Sequence, residues 1–153
     1  MRRTAVLTIA GMAGVAAIAA AGATFDPPDY EIVDFAIPEP LTDNPPDPFR
    51  GWQIVRDAGN ASCLICHPMP IPEEPNHGNI APDLTGVGER YTEGELRLRL
   101  VDPKALNPNT IMPSYFQLEG LNRVEEEYVG QTIYSAQDVE DVVAYLMTLR
   151  SPD

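Results

Sequence analysis

The chain has 153 residues, with ten lysines and arginines, 23 aspartates and glutamates, and a formal net charge of −13. That length suits one domain with a single hydrophobic core. The acidity argues against nucleic acid and anionic membrane surfaces as partners, because binding to phosphate requires a basic surface. It is compatible with simple solubility and with attraction to a protein partner that has a basic face.

The first 23 residues have the pattern of a secretory signal peptide. Arg2 and Arg3 precede an apolar, alanine-rich stretch at 5–21, and Ala-Gly-Ala at 21–23 is typical of a cleavage site. An uncleaved membrane anchor is the alternative, although the stretch is barely long enough to span a bilayer. The arginine pair alone is weak evidence for twin-arginine export. We therefore expect a leader at 1–23, and a mature charge of −15 from eight basic and 23 acidic residues.

Residues 24–46 are predicted to form an extended arm ahead of a globular domain at 47–153. The stretch 24–48 contains seven prolines and seven carboxylates, so it cannot sustain a helix or build a core. Apolar side chains are nevertheless scattered through it: Tyr30, Ile32, Phe35, Ile37 and Leu41. We expect the arm to lie across its own globule or across a partner subunit, with disorder as the alternative.

The first predicted helix of the domain begins near Asp47-Pro48. Aspartate favours the N-cap of a helix, and proline favours its first helical position. Phe49 and Trp52 follow at near-helical spacing. We expect these aromatic rings to pack in the core rather than to serve as a docking surface.

Two further helices are predicted from capping signals. One starts at a capping box between Thr92 and Glu95 and runs to Val101, although its alternating leucines also suit a strand. The other follows a similar signal at Ser135 and carries valines and leucines at helical spacing. The segments between the helices, rich in proline and glycine, are predicted to be irregular.

The most informative motif is C-L-I-C-H at residues 63–67, which contains the only two cysteines. C-x-x-C-H is the attachment site of a c-type haem, because two cysteines on one side of a turn can both bond one porphyrin. A zinc site would find only His77 as a further ligand of the usual kind. A thioredoxin-like pair lacks a βαβ setting, and a plain disulfide leaves His67 unexplained. The motif predicts one covalent haem c on Cys63 and Cys66, with His67 as the proximal iron ligand. Because such haem is normally attached outside the cytoplasm, it also favours a periplasmic protein.

Met112 is the predicted second axial ligand of the iron. It lies in a loop about 45 residues after His67, which is ample chain to cross the edge of the haem. Met69 is too close to the motif to reach the distal face, and Met147 lies on the last predicted helix. His77 is the rival ligand, but its tether is short, and an open sixth site is a further alternative. His/Met ligation fills both axial positions and therefore favours electron transfer over catalysis at the iron.

The order of these features resembles that of class I cytochromes c over roughly residues 47–150. The resemblance implies an all-α fold, with few helices around one covalent haem and with the first and last helices crossing beside it. It also implies that Pro82 offers its carbonyl oxygen to the proximal imidazole; the alternative is a simple turn, and both can be true.

Four stretches carry a more specific resemblance: 78–90, 93–103, 107–115 and 138–146. Together they are similar to the SoxX family, the small monohaem subunits of the bacterial SoxAX complexes of sulfur oxidation. The resemblance implies a heterodimer with a SoxA-like haem subunit that oxidatively conjugates thiosulfate to a cysteine of a SoxYZ-like carrier. Such a complex is an oxidoreductive L-cysteine S-thiosulfotransferase. This chain would be one of its subunits and would not be catalytic alone. It would pass electrons from the SoxA haem to a downstream cytochrome.

The cysteine count agrees with that role. Both cysteines are consumed as thioethers, so no thiol remains to carry sulfur. A free periplasmic electron shuttle is the main alternative. A haem enzyme or gas sensor with an open sixth site is a further one, against which Met112 argues.

Overall fold

Five α-helices make up most of the regular structure in the computed structural model, which describes residues 29–126 and 129–152. They are α1 Pro48–Arg56, α2 Val87–Arg90, α3 Glu93–Val101, α4 Pro103–Leu106 and α5 Ala136–Thr148. Within the described ranges there is no β-strand, only an isolated bridge between Val33 and Ala36. None of the helices there is long and apolar enough to cross a bilayer. The predicted all-α class is confirmed, whereas the predicted leader and residues 24–28 of the arm lie outside the described residues.

The three predicted helices begin where their capping residues indicated. The Asp47 side chain accepts hydrogen bonds from the first-turn amides of α1. Complete capping boxes start α3 and α5, through Thr92 with Glu95 and through Ser135 with Asp138. Such side chains satisfy amide groups that the first turn of a helix leaves unpaired, so these starts are set by local sequence.

Two short helices lie in segments that were predicted to be irregular. Both α2 and α4 are single turns, too short for apolar periodicity to indicate them. Pro103 occupies the first helical position of α4, a position that favours proline. The sequence therefore contained a signal for α4 that the prediction did not use.

Helices α1 and α5 cross at Gly51. A Cβ atom at this glycine would lie 2.0 Å from the backbone oxygen of Asp141 and 2.9 Å from Cβ of Tyr145. Only hydrogen can occupy that position, so the two helix backbones approach closely. Phe49 is 64% exposed, and it stacks on the half-buried Trp52 with ring centroids 5.4 Å apart. The prediction that Phe49 packs in the core is wrong, because a glycine makes the crossing.

Residues 29–46 of the arm lie across α3 and α5 of the same chain. Ile37 and Leu41 are buried in the core. The Ile37 amide donates to the Gly94 oxygen at 3.0 Å, and the Leu41 amide donates to Glu140 Oε1 at 2.9 Å. Of the two predicted placements, the chain's own globule is the one that these residues adopt.

A buried ion pair anchors the arm. Arg97 and Glu140 are 2% and 4% exposed, and they pair through two contacts of 2.7 and 2.8 Å. Arg97 Nη1 also donates to the Ile37 oxygen at 2.6 Å. One guanidinium therefore holds α3, α5 and the arm together.

A second polar contact joins α1 to α5 through Arg50. Its guanidinium contacts Asp138 and, at 2.5 Å, the fully buried Asp141. Partial burial raises the pKa of Asp138, but hydrogen bonds from Ser135 and Arg50 outweigh that effect and leave the pKa below its ordinary value. Asp138 therefore stabilises the fold in its charged form.

We expect Asp138→Asn to destabilise the protein by about 1 kcal/mol at pH 7, the usual loss for a weakened helix cap. Because the pKa of Asp138 is lower in the folded than in the unfolded state, its charge contributes stability above the unfolded pKa. That contribution is lost as the pH falls through the folded pKa, below about pH 4. Urea midpoints at pH 7 and pH 3 should therefore show a deficit that shrinks in acid. The exposed Asp43→Asn is the control, and an equal deficit at both pH values would contradict the assignment.

Candidate haem-binding site

The predicted attachment motif forms a tight turn directly after α1. Residues Cys63–Ile65 make one turn of 3-10 helix, and the amides of Cys66 and His67 both donate to the Cys63 oxygen, at 3.1 and 2.9 Å. Ser62 Oγ donates to the Val55 oxygen at 2.7 Å, which ties the turn to α1. The two cysteines thus lie on one turn with the histidine following, as the spacing predicted.

The two thiols are free and differ in environment. Cys66 is half-buried, whereas Cys63 is buried, and desolvation raises the pKa of the Cys63 thiol to about 11. A thiol with such a pKa is protonated at neutral pH and is a weak nucleophile. Within the folded chain, Cys63 is therefore poorly reactive by itself.

His67 is oriented by a backbone carbonyl. Its Nδ1 lies 2.6 Å from the Pro82 oxygen. A carbonyl oxygen only accepts, so Nδ1 carries the proton and Nε2 is left as the nitrogen with a free lone pair. The loop with Pro82 is fixed to the motif, since the Ala81 amide donates to the Cys66 oxygen at 3.0 Å. The contact implied for Pro82 is present.

Two adjoining cavities bring the four predicted site residues together. One, of about 330 Å³, is lined by Cys63, His67 and Met112, and a second, of about 200 Å³, is lined by these three and Cys66. The walls of the larger cavity are mainly aliphatic: Leu84, Val87, Leu96, Leu100, Leu106 and Leu146. The imidazole and the thioether thus border one shared space.

The side chains that could compete with Met112 as the second iron ligand lie away from the two cavities. His77 is exposed and lines neither of these two cavities. Met69 is buried in the core, and Met147 is half-buried against it. Of the methionines in the described residues, Met112 is the one that lines both cavities.

The loop of Met112 is held by hydrogen bonds on both sides of the methionine. The Met112 amide donates to Thr110 Oγ1 at 3.1 Å. After it, the Tyr115 amide donates to the Leu100 oxygen at 2.9 Å, which ties the loop to α3. The Tyr115 ring stacks on Tyr134 with centroids 4.6 Å apart, and burial raises the pKa of both hydroxyls. Both tyrosines are therefore neutral at physiological pH.

Several polar residues of the larger cavity were missed by sequence reasoning: Arg90, Tyr91, Arg99 and Tyr115. Arg99 lies three residues after Leu96 and one before Leu100, both of which line the cavity, so helical spacing on α3 could have indicated it. The tyrosines gave no comparable local signal.

The residues present fit a haem c. Two free thiols lie on one turn, a histidine has an unengaged Nε2, and a thioether borders the same aliphatic cavity. Imidazole and thioether are together a usual axial pair for haem iron in electron-transfer cytochromes. Apolar walls also suit a porphyrin face, since they exclude water from it.

Comparison with known proteins identifies relatives of this chain. No protein-family model matches the chain, and no curated protein matches it. Among solved structures, the crystal structure of SoxXA from P. pantotrophus is similar, with 33% sequence identity and a TM-score of 0.71. The match covers 80% of this chain and 95% of that chain, and it confirms the predicted cytochrome c fold. With that identity over most of both chains, this chain belongs to the SoxX family of c-type cytochromes.

Proposed function

We propose that the chain carries one covalent haem c on Cys63 and Cys66, with His67 and Met112 as the axial ligands of its iron. The observation that supports this most strongly is the shared space: His67 and Met112 line the same two cavities, beside the free thiols. When bound, haem supplies a one-electron iron couple.

The surrounding residues have separate tasks in this proposal. The Pro82 carbonyl fixes the ring of His67 and its tautomer, which leaves the lone pair of Nε2 free to bind a metal. The Thr110 hydroxyl holds the Met112 loop, and the leucine walls keep water away. With His67 and Met112 both binding the iron, no position would remain for a substrate, so the site would be suited to passing electrons.

The role we infer is electron transfer within a complex of SoxA and SoxX type. Its SoxA-like partner would join thiosulfate to a cysteine thiol of a SoxYZ-like carrier, which forms an S–S bond and releases one proton and two electrons. This chain would take those electrons one at a time and pass them to a downstream cytochrome. The relationship to the SoxXA structure supports the pairing, and the lack of any third cysteine excludes this chain as the sulfur carrier.

An exposed apolar surface beside the site supports protein partners. Ile80 and Ile111 line the smaller cavity and are exposed, as is Ile65 next to Cys66. Clustered exposed isoleucines are unusual on a free surface and suit a contact with another protein. A free electron shuttle remains the second candidate function, because transient docking would use the same surface.

We expect Met112→Ala to leave the haem attached but to lower its reduction potential on the order of 100 mV, a modest part of the range that axial ligands span. The opened iron should also bind carbon monoxide in the ferrous state. Redox titration and optical spectra test this, with Met147→Leu as the control, because that methionine lines neither cavity. An unchanged potential without carbon monoxide binding would exclude Met112 as a ligand.

The partner proposal predicts a stable complex. Tagged protein purified from the periplasm of its host, grown on thiosulfate, should begin at Thr24, carry one haem and retain a second haem subunit. Thiosulfate should reduce that complex in the presence of the carrier protein. A monomeric cytochrome without a retained partner would favour the free shuttle. Purified protein that still contains residues 1–23 would favour the membrane-anchor alternative.

A further inference from the structure

Arg99 is a half-buried cation that lines the larger cavity and forms no contact ion pair within the described residues. The pKa of the Glu95 carboxyl is lowered mainly by hydrogen bonds from Thr92, and the charge of Arg99 adds only a small further effect. The ion pairs within the described residues involve Arg50, Arg56 and Arg97, but not Arg99. Arg99 is only partly exposed, so its guanidinium lies at the boundary between the cavity and solvent. The cavity walls near it are mainly leucine and valine side chains. A guanidinium at the edge of a mainly apolar cavity can pair with an acidic group of a molecule bound there.

The Arg99 guanidinium is nevertheless held in place. Its Nη1 donates to the Glu95 oxygen at 2.8 Å, and its Cζ lies 3.8 Å from the centroid of the Tyr91 ring. Tyr91 lines the same cavity. The remaining N–H groups of Arg99 have no acceptor among the residues that the structure describes. A positioned guanidinium with free donors is prepared to bind an oxyanion.

Arg90, the other arginine of this cavity, is already engaged. Its Nη1 and Nη2 donate to the backbone oxygens of Thr85 and Asp83, at 2.5 and 2.9 Å. Arg90 is also exposed. It therefore braces the loop after Pro82, whereas Arg99 keeps donors available for a ligand.

We infer that Arg99 binds a propionate carboxylate of the haem, an inference that rests on the proposed function. Haem carries two such carboxylates on an otherwise apolar ring, and the cavity is otherwise mainly aliphatic. Arg99 is thus a positioning residue that fixes the orientation of the group and offsets the charge of one carboxylate. An uncompensated carboxylate stabilises the oxidised, more positive iron, so loss of Arg99 lowers the reduction potential.

The test compares haem-loaded Arg99→Gln, Arg99→Lys and Arg123→Gln with the wild-type chain. Arg123 is exposed, lines a different cavity and gives the same change in net charge. At a fixed potential, Arg99→Gln should shift the ratio of oxidised to reduced protein about tenfold, which is 59 mV for one electron. Arg99→Lys keeps the positive charge, so its ratio of oxidised to reduced protein should stay close to that of the wild type. Arg123→Gln should change the ratio less than about twofold. Resonance Raman spectra should show a moved propionate bending band in Arg99→Gln.

The outcomes separate this inference from the proposed function. Wild-type protein without covalent haem would overturn both. The role of Arg99 alone would be overturned if the wild type carries haem and Arg99→Gln has the same reduction potential as Arg123→Gln. In that case the propionate bending band of Arg99→Gln would also be unmoved. If Arg99→Gln does not accumulate, the propionate bending band of Arg99→Lys tests the inference instead. A lysine lacks the planar fork of arginine, so an unmoved band there would also overturn the inference.

Discussion

Replacing Gly51 with alanine is expected to destabilise the folded protein by about 3 kcal/mol, the upper range for overpacking a core. The new Cβ would lie 2.0 Å from the backbone oxygen of Asp141, which belongs to α5 and cannot rotate away. The helices must therefore separate. Alanine is the better helix former by about 1 kcal/mol, so propensity alone predicts the opposite sign.

Urea unfolding of the haem-loaded protein measures this effect. Gly59→Ala is the control, because a Cβ there would meet only the carboxylate of Asp57, at 3.3 Å. A Gly51→Ala protein as stable as the wild type would show that α1 and α5 do not cross at this glycine.

Arg97→Met is expected to cost about 4 kcal/mol, the usual result of removing one partner from a buried ion pair. It would leave the charge of Glu140 buried, with the Leu41 amide as its remaining hydrogen-bond donor. The arm would also lose the contact between Arg97 and the Ile37 oxygen. We therefore expect residues 29–46 to become sensitive to protease under conditions in which the rest of the domain stays folded.

The double variant Arg97→Met/Glu140→Leu should regain much of the lost stability, because it buries no unpaired charge. Glu74→Gln is the matched control, since its pair with Arg56 is partly exposed and is worth less than about 1 kcal/mol. Equal losses at the buried and the exposed pair would show that Arg97 does not anchor the arm.

Sequence reasoning could predict those parts of the candidate site whose residues lie close together in the chain. The two cysteines and His67 lie within five consecutive residues, so their spacing alone predicts what they bind. The prediction of Met112 as the second ligand rested on the small number of methionines and on the length of chain to the motif, and the structure places Met112 beside both cavities. Arg99 could not be assigned in this way, because arginines on a helix are ordinarily solvated and only the packing shows which one lines a cavity.

The sequence by itself determined the helix starts and the haem motif, because each depends on groups within a few residues of one another. The caps at Asp47, Thr92 and Ser135 are hydrogen bonds across two or three positions. Only the tertiary structure decided the glycine crossing, the buried ion pair and the course of the arm. These contacts join residues far apart in the chain, such as the Asp47 amide and Asp141, 94 positions away. Whether such groups meet depends on how whole helices pack, and no short stretch of sequence contains that information.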